Sequence, residues 1–317
     1  RLGHDAFGVR GAVPDVSWAF SGSCLLGFRV VKRSVPCLDA YVRIIDNGCM
    51  AATEPSDDFR VDLQQRCAVV TGASSGIGRA IALRLAAAGA DCLVHAGNNR
   101  AGAEEVAGEI RGLGREAEVV VADLGDTEEQ DRLCAAAYQW RAEIDIWVNN
   151  AGADVLTGEA VVLSFDEKLE LLWRVDVVAA IRMSRRVGRR MKLAGGGTIL
   201  NMGWDQASTG MAGDSGEMFS AVKSAVAGFT KSLAQSLAPE VRVNSVAPGW
   251  IRTGWAAAAS DVWQQRAVSE SLLGRWGTPA DVASVAHFLV SPSAAFVNGQ
   301  VIAINGGRQF GPGDSHD

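Results

Sequence analysis

From Arg66 onward the sequence predicts a doubly wound α/β domain on a parallel sheet. Short apolar runs rich in β-branched residues alternate with stretches of helical period, the pattern of strands joined by crossover helices. A glycine-rich turn stands between the first apolar run and the first helical one, where such a fold needs a tight connection. Composition agrees: of 317 residues 48% are hydrophobic and 21% charged, and 36 Gly stand against 8 Pro. Such a chain can bury a large core and make many strand-to-helix turns.

The elements follow in order. Cys67–Thr71 is a short apolar strand, and Ile77–Ala88 has helical spacing. Asp91–His95 reads as a strand and Ala103–Leu113 as a helix. Glu118–Val121 is a strand ending at Asp123, and Glu128–Gln139 is helical. Ile144–Asn149 is a strand followed by one long helical stretch, Phe165–Leu193. Thr198–Asn201 is a strand, Ser215–Ala238 a helix and Val241–Val246 a strand. Asp261–Leu273 and Ala280–Val290 are helical, and Gln300–Ile304 is a last strand. That gives a single domain with about seven parallel strands. Right-handed crossovers place all strand C-termini on one edge, where ligands bind in open sheets.

Charge and cysteine usage exclude several classes. Lys and Arg number 30 against 36 Asp and Glu, a net charge of −6 without a basic cluster, so a nucleic-acid partner is not expected. No uninterrupted apolar run reaches the ~18 residues of a membrane span, so no membrane partner is expected. The six Cys form no Cys-x-x-Cys pair and the four His are isolated, so no metal site is expected. Free thiols in a reducing cytoplasm are the expected state.

The glycine-rich turn carries the first functional signal. Thr71-Gly72-Ala-Ser74-Ser75-Gly76-Ile77-Gly78 opens the first helix. Glycines let backbone approach a pyrophosphate, and the helix N-terminus offers free N–H groups and the positive end of its dipole. This makes the domain Rossmann-type, although Gly-x-x-x-Gly-x-Gly differs from the commoner Gly-x-Gly-x-x-Gly. The sequence here resembles the short-chain dehydrogenase/reductase family, from about Arg66 to Gly307. Its motifs recur in the family's order: Asp123-Leu124 after the third strand, Asn149-Asn150-Ala151-Gly152 ending the fourth, Pro248-Gly249-Trp-Ile251-Arg-Thr253 after the sixth, and Asn298-Gly299 with Asn305-Gly-Gly307 near the end. The resemblance implies that Asp123 and Leu124 lie at adenine. It also implies that Asn150, Ala151 and Gly152 line the cofactor, and that Pro248, Gly249, Ile251 and Thr253 hold the nicotinamide end.

Cofactor preference is read at the end of the second strand. NAD users place a carboxylate there for the ribose 2′-OH. Here the turn is Ala96-Gly-Asn98-Asn99-Arg100, with no carboxylate. Arg100 can pair with a 2′-phosphate and the two Asn can donate to it, so NADP(H) is expected over NAD(H). The competing reading is that Arg100 is a solvated charge opening the next helix.

The resemblance also implies a Tyr-x-x-x-Lys pair one helical turn apart, a Ser before that helix and an Asn on the preceding one. The matching segment is Phe219-Ser-Ala-Val-Lys223, anchored by the continuing Ser224–Ala234. The chain has only Tyr41 and Tyr138, and neither fits the position. Phe lacks an ionisable oxygen. The Ser position falls on Trp204, Asp205 or Gln206, and the Asn position carries Asp176. Of the four, Lys223 alone is retained. Asp205, Asp214 and Glu217 are the candidate replacement acids, with Asp205 favoured because a carboxylate beside Trp204 in a dry pocket becomes a stronger base and a usable acid. Asp214 with Glu217 also has the spacing of a capping box. Asp176 would be kept ionised if it met Lys223.

Five of the nine Trp, at 204, 250, 255, 263 and 276, fall near the expected substrate pocket, as an aromatic wall or as core beneath a loop. Two functions are therefore open. One is an NAD(P)-dependent oxidoreductase moving hydride to or from a small carbonyl or alcohol-like substrate. The other is a catalytically silent cofactor-binding or regulatory protein. The resemblance further implies a homodimer or homotetramer.

The chain changes character near Met50. Residues 1–61 are expected to be an extension, poorly ordered or non-native, before a domain at 62–310 and a tail at 311–317. A signal peptide over Val16–Phe28 is the rival, with acidic flanks at Asp5 and Asp15 that suit it badly. A chain shortened to begin at Met50 is expected to keep its melting temperature and cofactor affinity. A clear fall in melting temperature would show that residues 1–49 pack on the domain.

Overall fold

The computed structural model describes residues 63–307 except 255, 257 and 258, so the expectations for residues 1–61 and 311–317 lie outside the described residues. Seven strands form one sheet: β1 (Cys67–Val70), β2 (Asp91–Ala96), β3 (Ala117–Val121), β4 (Ile146–Asn149), β5 (Gly197–Met202), β6 (Val241–Pro248) and β7 (Val301–Ile304). They pair in parallel in the order β3-β2-β1-β4-β5-β6-β7. The predicted doubly wound, seven-stranded architecture is the observed one. The order reverses between β1 and β4, which leaves a crevice at their C-terminal ends.

The strands alternate their side chains between two cores, as a period of two requires. Ala68 and Val70 of β1 face a layer formed by α1 (Gly76–Ala87), α2 (Arg100–Gly112) and α8 (Pro279–Val290), with Ile81, Leu85, Val106, Ile110 and Leu289 fully buried. Val69 faces the other layer, formed by α3 (Thr127–Trp140), α5 (Ala179–Ala194) and α6 (Asp214–Leu237), with Leu133, Met183, Val187 and Ile199 buried. A smaller cluster of Val155, Leu172, Val177, Met218, Val222 and Val226 closes the end of α6 near the strand C-termini.

Three elements depart from the sequence expectation. The single long helix predicted over Phe165–Leu193 is α4 (Phe165–Leu172), a π-helical stretch Trp173–Val178, then α5. The wide turn buries the polar Asp176 beside Val177 while Arg174 stays exposed. The helix expected over Asp261–Leu273 stops as α7 at Ser269, because the amides of Leu272 and Leu273 bond instead to the carbonyls of Gly307 and Gly306. Helix α2 begins three residues earlier than periodicity indicated, because the Asn99 side chain caps it by accepting from the Gly102 amide at 3.0 Å.

Candidate active site

The crevice between β1 and β4 is closed by side chain to backbone bonds. Thr71 Oγ1 accepts from the amides of Asn150 (2.9 Å) and Ala151 (3.0 Å) and donates to the Val148 carbonyl (3.2 Å). The Asn150 amide group donates back to the carbonyls of Thr71 (2.9 Å) and Gly72 (3.0 Å). This close approach dictates two of the glycines. A Cβ at Gly72 would lie 2.8 Å from Ala151 Cα, and one at Gly78 would lie 2.2 Å from the Gly72 carbonyl oxygen. Gly76 is different: its φ is +56° and a Cβ there would meet nothing nearer than Thr253 Cγ2 at 3.6 Å. Gly76 is therefore called for by its backbone conformation, and a side chain there would only come into ordinary contact with the segment after β6.

No side chain caps α1, whose N-cap is Ser75 in extended conformation. The first helical amides, with Ser74 and Ser75 before them, thus present donors at the C-terminal edge of the sheet. A Cβ-free approach at the turn and an uncapped helix N-terminus together fit a dinucleotide pyrophosphate.

His95, which the sequence reading did not single out, holds this turn from below. It is fully buried at the end of β2, accepts from the Gly72 amide at Nδ1 (3.1 Å) and meets the Ala122 carbonyl at Nε2 (2.9 Å). An acceptor Nδ1 and a donor Nε2–H define the neutral tautomer. Burial lowers its pKa from 6.5 to about 4. The ring thereby links the phosphate turn to the segment after β3. Only its place at the end of a buried strand signalled this, and polar residues at buried strand ends are where such a signal would be sought.

The other cofactor candidates lie along the same edge. Asn98, Asn99 and Arg100 form the exposed turn after β2. Asn99 is occupied as a helix cap, and Arg100 reaches only Glu104, 3.7 Å away one turn on. Asp123 accepts from the Gly125 amide at 2.8 Å, while the Leu124 side chain is buried in the core. Asn150, Ala151 and Gly152 follow β4, and Pro248, Gly249, Ile251 and Thr253 follow or end β6.

Lys223 and Asp176 are brought together. Lys223 Nζ lies 2.8 Å from Asp176 Oδ2, with side-chain exposures of 9% and 2%, and donates to the Met202 carbonyl at 3.2 Å. The other oxygen of Asp176 accepts from the Ala153 amide at 2.8 Å. Phe219 sits one turn before Lys223 and meets the Trp204 ring edge to face, centroids 6.1 Å apart. Both residues line a cavity of about 500 Å³ whose walls include Ile77, Trp204, Trp250, Thr253 and Trp263.

The replacement acids proposed from sequence are placed elsewhere. Asp205 does not line that cavity; its Oδ2 accepts from the Asn305 amide at 3.1 Å, tying the end of β5 to the segment after β7. Asp214 and Glu217 are exposed, and Asp214 is not a cap: Gly213, with φ +91°, stands at that position without a side-chain bond. The tryptophans divide. Trp204, Trp250 and Trp263 form cavity wall, whereas Trp276 is buried beneath them with Ala256 and Ala267. Trp255 lies outside the described residues. Trp250 is fixed by Glu270, which accepts from its indole N–H at 2.9 Å and from Arg266 at 2.6 Å.

Comparison with known proteins follows this geometry. Residues 72–309 match the family model described as enoyl-(acyl carrier protein) reductase. The chain is 36% identical over 254 residues to a 3-oxoacyl-acyl-carrier-protein reductase of Aquifex aeolicus, covering 78% of this chain and 99% of that one. Its fold is similar to a 7α-hydroxysteroid dehydrogenase complexed with NADH and 7-oxo glycochenodeoxycholic acid (TM-score 0.72, 29% identity, 78% and 96% of the two chains). It is also similar to a short chain dehydrogenase of Burkholderia cenocepacia in complex with NADP (TM-score 0.70, 33% identity, 77% and 98%).

His95 yields a prediction with a defined sign. Its folded pKa is depressed to about 4 from 6.5, so its contribution to stability is fully present above pH 6.5 and is lost as pH falls towards 4. His95→Phe is expected to cost about 1–3 kcal/mol at pH 7 by leaving the Gly72 amide without its acceptor. Between pH 7 and pH 4 the wild type should lose up to about 3 kcal/mol that the variant does not lose. Urea unfolding of both proteins across that range checks this, and parallel curves would contradict it.

Proposed function

The chain belongs to the short-chain dehydrogenase/reductase family of oxidoreductases, and on that premise we propose that it transfers hydride between a nicotinamide dinucleotide and a small carbonyl or alcohol-like substrate. The supporting observation is that one cavity has both Ile77, from the phosphate-turn helix, and the Phe219–Lys223 face in its wall. A dinucleotide laid from the turn along the strand edge would end in that cavity. The residues that would hold it are Gly72, Ser74, Ser75, Gly76, Ile77 and Gly78 at the pyrophosphate, Asp123 and Leu124 at adenine, and Asn150, Ala151, Gly152, Lys223, Pro248, Gly249, Ile251 and Thr253 towards nicotinamide. When bound, the cofactor supplies or accepts the hydride; the protein orients it and excludes water with an aromatic wall. The relatives named for oxo compounds, a 3-oxoacyl reductase and a hydroxysteroid dehydrogenase, support a carbonyl. Trp204, Phe219, Trp250 and Trp263 favour one with a flat or apolar body. The catalytically silent reading draws no support from these relatives. We take the enzyme to be cytoplasmic and a homodimer or homotetramer. The buried thiols of Cys92 and Cys134 agree with a reducing compartment.

NADP(H) is the preferred cofactor in this reading. The turn after β2 carries no carboxylate, and the Arg100–Glu104 contact is an exposed pair that a 2′-phosphate can displace. Calorimetry is expected to show NADPH binding tighter than NADH by about 1.5–3 kcal/mol or less, the value for a hydrogen bond to a charged group. Arg100→Ala should narrow the gap. Equal affinities in the parent protein would remove the preference.

Consumption of NADPH against a panel of carbonyl and imine compounds tests the function itself, with turnover expected for apolar or aromatic carbonyls. Phe219→Tyr should leave the fold intact and raise carbonyl reduction only modestly, because Trp204 and Asp176 still occupy two further positions of the family's relay. The triple variant Phe219→Tyr, Trp204→Ser, Asp176→Asn should gain more per folded molecule while losing stability, since it breaks a buried ion pair. A full gain from Phe219→Tyr alone would show that the other two positions do not limit the rate.

A further inference from the structure

Among the described side chains that line the cavity, Lys223 is the one with an ionisable group. Ser215 and Thr253 add hydroxyls, which do not titrate in the range where proteins work. The remaining walls are apolar side chains, indoles and glycines. The carboxylates that sequence reasoning offered as acids are directed to Asn305 or lie exposed on the start of α6.

An ammonium has three N–H donors. On Lys223, one faces Asp176 Oδ2 at 2.8 Å and one the Met202 carbonyl at 3.2 Å. The third has no protein partner among the described residues, and Lys223 borders the cavity. Ammonium and phenol are acids of similar ordinary strength. As a class of acid, an ammonium can therefore stand where a phenol is missing.

We infer that Lys223 is the proton donor of this enzyme, held by Asp176 as a positioning residue. The inference rests on the proposed carbonyl reduction. In that direction the carbonyl carbon receives two electrons and a hydrogen as hydride from the reduced nicotinamide cofactor. The C=O π pair moves onto oxygen, and that oxygen takes a proton from Lys223 Nζ. The products are the alcohol, the oxidised cofactor and a neutral amine, which regains its proton from water. In the oxidative direction the neutral amine accepts the alcohol proton. Asp176 takes no proton in either direction. Its Oδ1 is fixed by the Ala153 amide and its Oδ2 fixes Nζ, and with the Met202 carbonyl the lysine is held at two of its three donors.

Arginine separates charge from proton transfer, because its guanidinium keeps the positive charge but does not give up a proton in proteins. The full-length chain and its Lys223→Arg, Lys223→Met and Lys223→Ala variants are compared in two measurements. Calorimetry without substrate reads NADPH affinity, and single-turnover NADPH oxidation with the best carbonyl of the panel reads the chemical step. Lys223→Arg is expected to hold NADPH within a few-fold of the parent while the chemical step falls by about 10²–10⁴, the usual worth of acid–base assistance. In Lys223→Ala the step should be partly restored by added methylamine, ethylamine and trifluoroethylamine. The restored rate should follow the acidity of each ammonium, a dependence that a structural role would not produce. Asp176→Asn should lower the chemical step with smaller effect on NADPH affinity.

Unchanged turnover in Lys223→Arg or Lys223→Met would overturn the assignment, as would amine rescue that ignores acidity. Loss of NADPH affinity equal to the loss of turnover would assign Lys223 to cofactor binding alone. If Lys223→Arg does not fold, the amine series on Lys223→Ala and the rate in Lys223→Met decide the question. A parent protein that reduces no carbonyl would sink the proposed function and this inference with it. Turnover by the parent that survives removal of the lysine sinks this inference alone.

Discussion

The hydroxyl of Thr71 bridges the two strand ends between which the site is built. Neighbouring strands β1 and β4 pair in parallel as far as Val70 and Val148 and then send their chains in opposite directions across the sheet, so beyond that point side chains must hold the two ends together. Thr71 Oγ1 accepts two amides from the β4 side and donates to a third group there, and Asn150 answers with two bonds to the β1 side. Each group is polar and at least half-buried, so leaving one unmade would cost its desolvation. The distances that result are too short for any side chain at positions 72 and 78. The glycine spacing is thus a consequence of this clasp, and the clasp in turn fixes where α1 begins and where its uncapped amides point.

A second polar system lies in the core and crosses four elements, β4, α5, β5 and α6. The Trp147 indole donates to Asn149, whose amide donates to Ser184 and to Asn201; Asn201 donates to Thr230 on α6. All five lie within the core, and each named donor has its acceptor, which is the condition under which a buried network rigidifies a fold. It sets β4 and β5 against α6, the helix that carries Phe219 and Lys223. The ion pair from Asp176 to Lys223 completes the same frame from the other side, with the π-helical turn placing the carboxylate and the Ala153 amide orienting it. Replacing one partner of such a pair costs about 3–5 kcal/mol in comparable cases, because it leaves a charge buried alone.

Much of this was legible in the sequence, and the rest was not for identifiable reasons. Strand and helix order could be read because each strand is an apolar run and each helix keeps its period. The phosphate turn could be read because glycine at fixed spacing records a steric demand. Local patterning could not register the π-helical turn, since Trp173–Val178 keeps apolar residues at helical spacing and only the burial of Asp176 distinguishes it. The direction of Asp205 depended on Asn305, a hundred residues away in sequence and without any local signature. His95 was invisible for the same reason: both its partners, Gly72 and Ala122, belong to other segments. Ends of helices were misplaced where a side chain or a distant carbonyl took up the terminal amides, as Asn99 does for α2 and Gly306 and Gly307 do beyond α7.

The ring of Phe219 and the carboxylate of Asp176 are physically linked through Lys223. A lysine ammonium in an apolar wall needs acceptors, because an isolated charge there would be far less stable than in water. Where the residue one turn earlier carries a phenol, the oxygen is one such acceptor. Phe219 removes it and adds only ring surface, packed edge-on against Trp204. Asp176, where the resemblance implies a neutral amide, faces the ammonium at 2.8 Å. A carboxylate there offsets the charge that the missing oxygen would have helped to hold, whereas an amide would offer a weaker partner. The phenyl ring and the carboxylate therefore suit each other. Phe219→Tyr or Asp176→Asn alone would leave Lys223 with a mismatched set of neighbours: a phenol competing with a carboxylate in one case, or an amide beside a phenyl ring in the other.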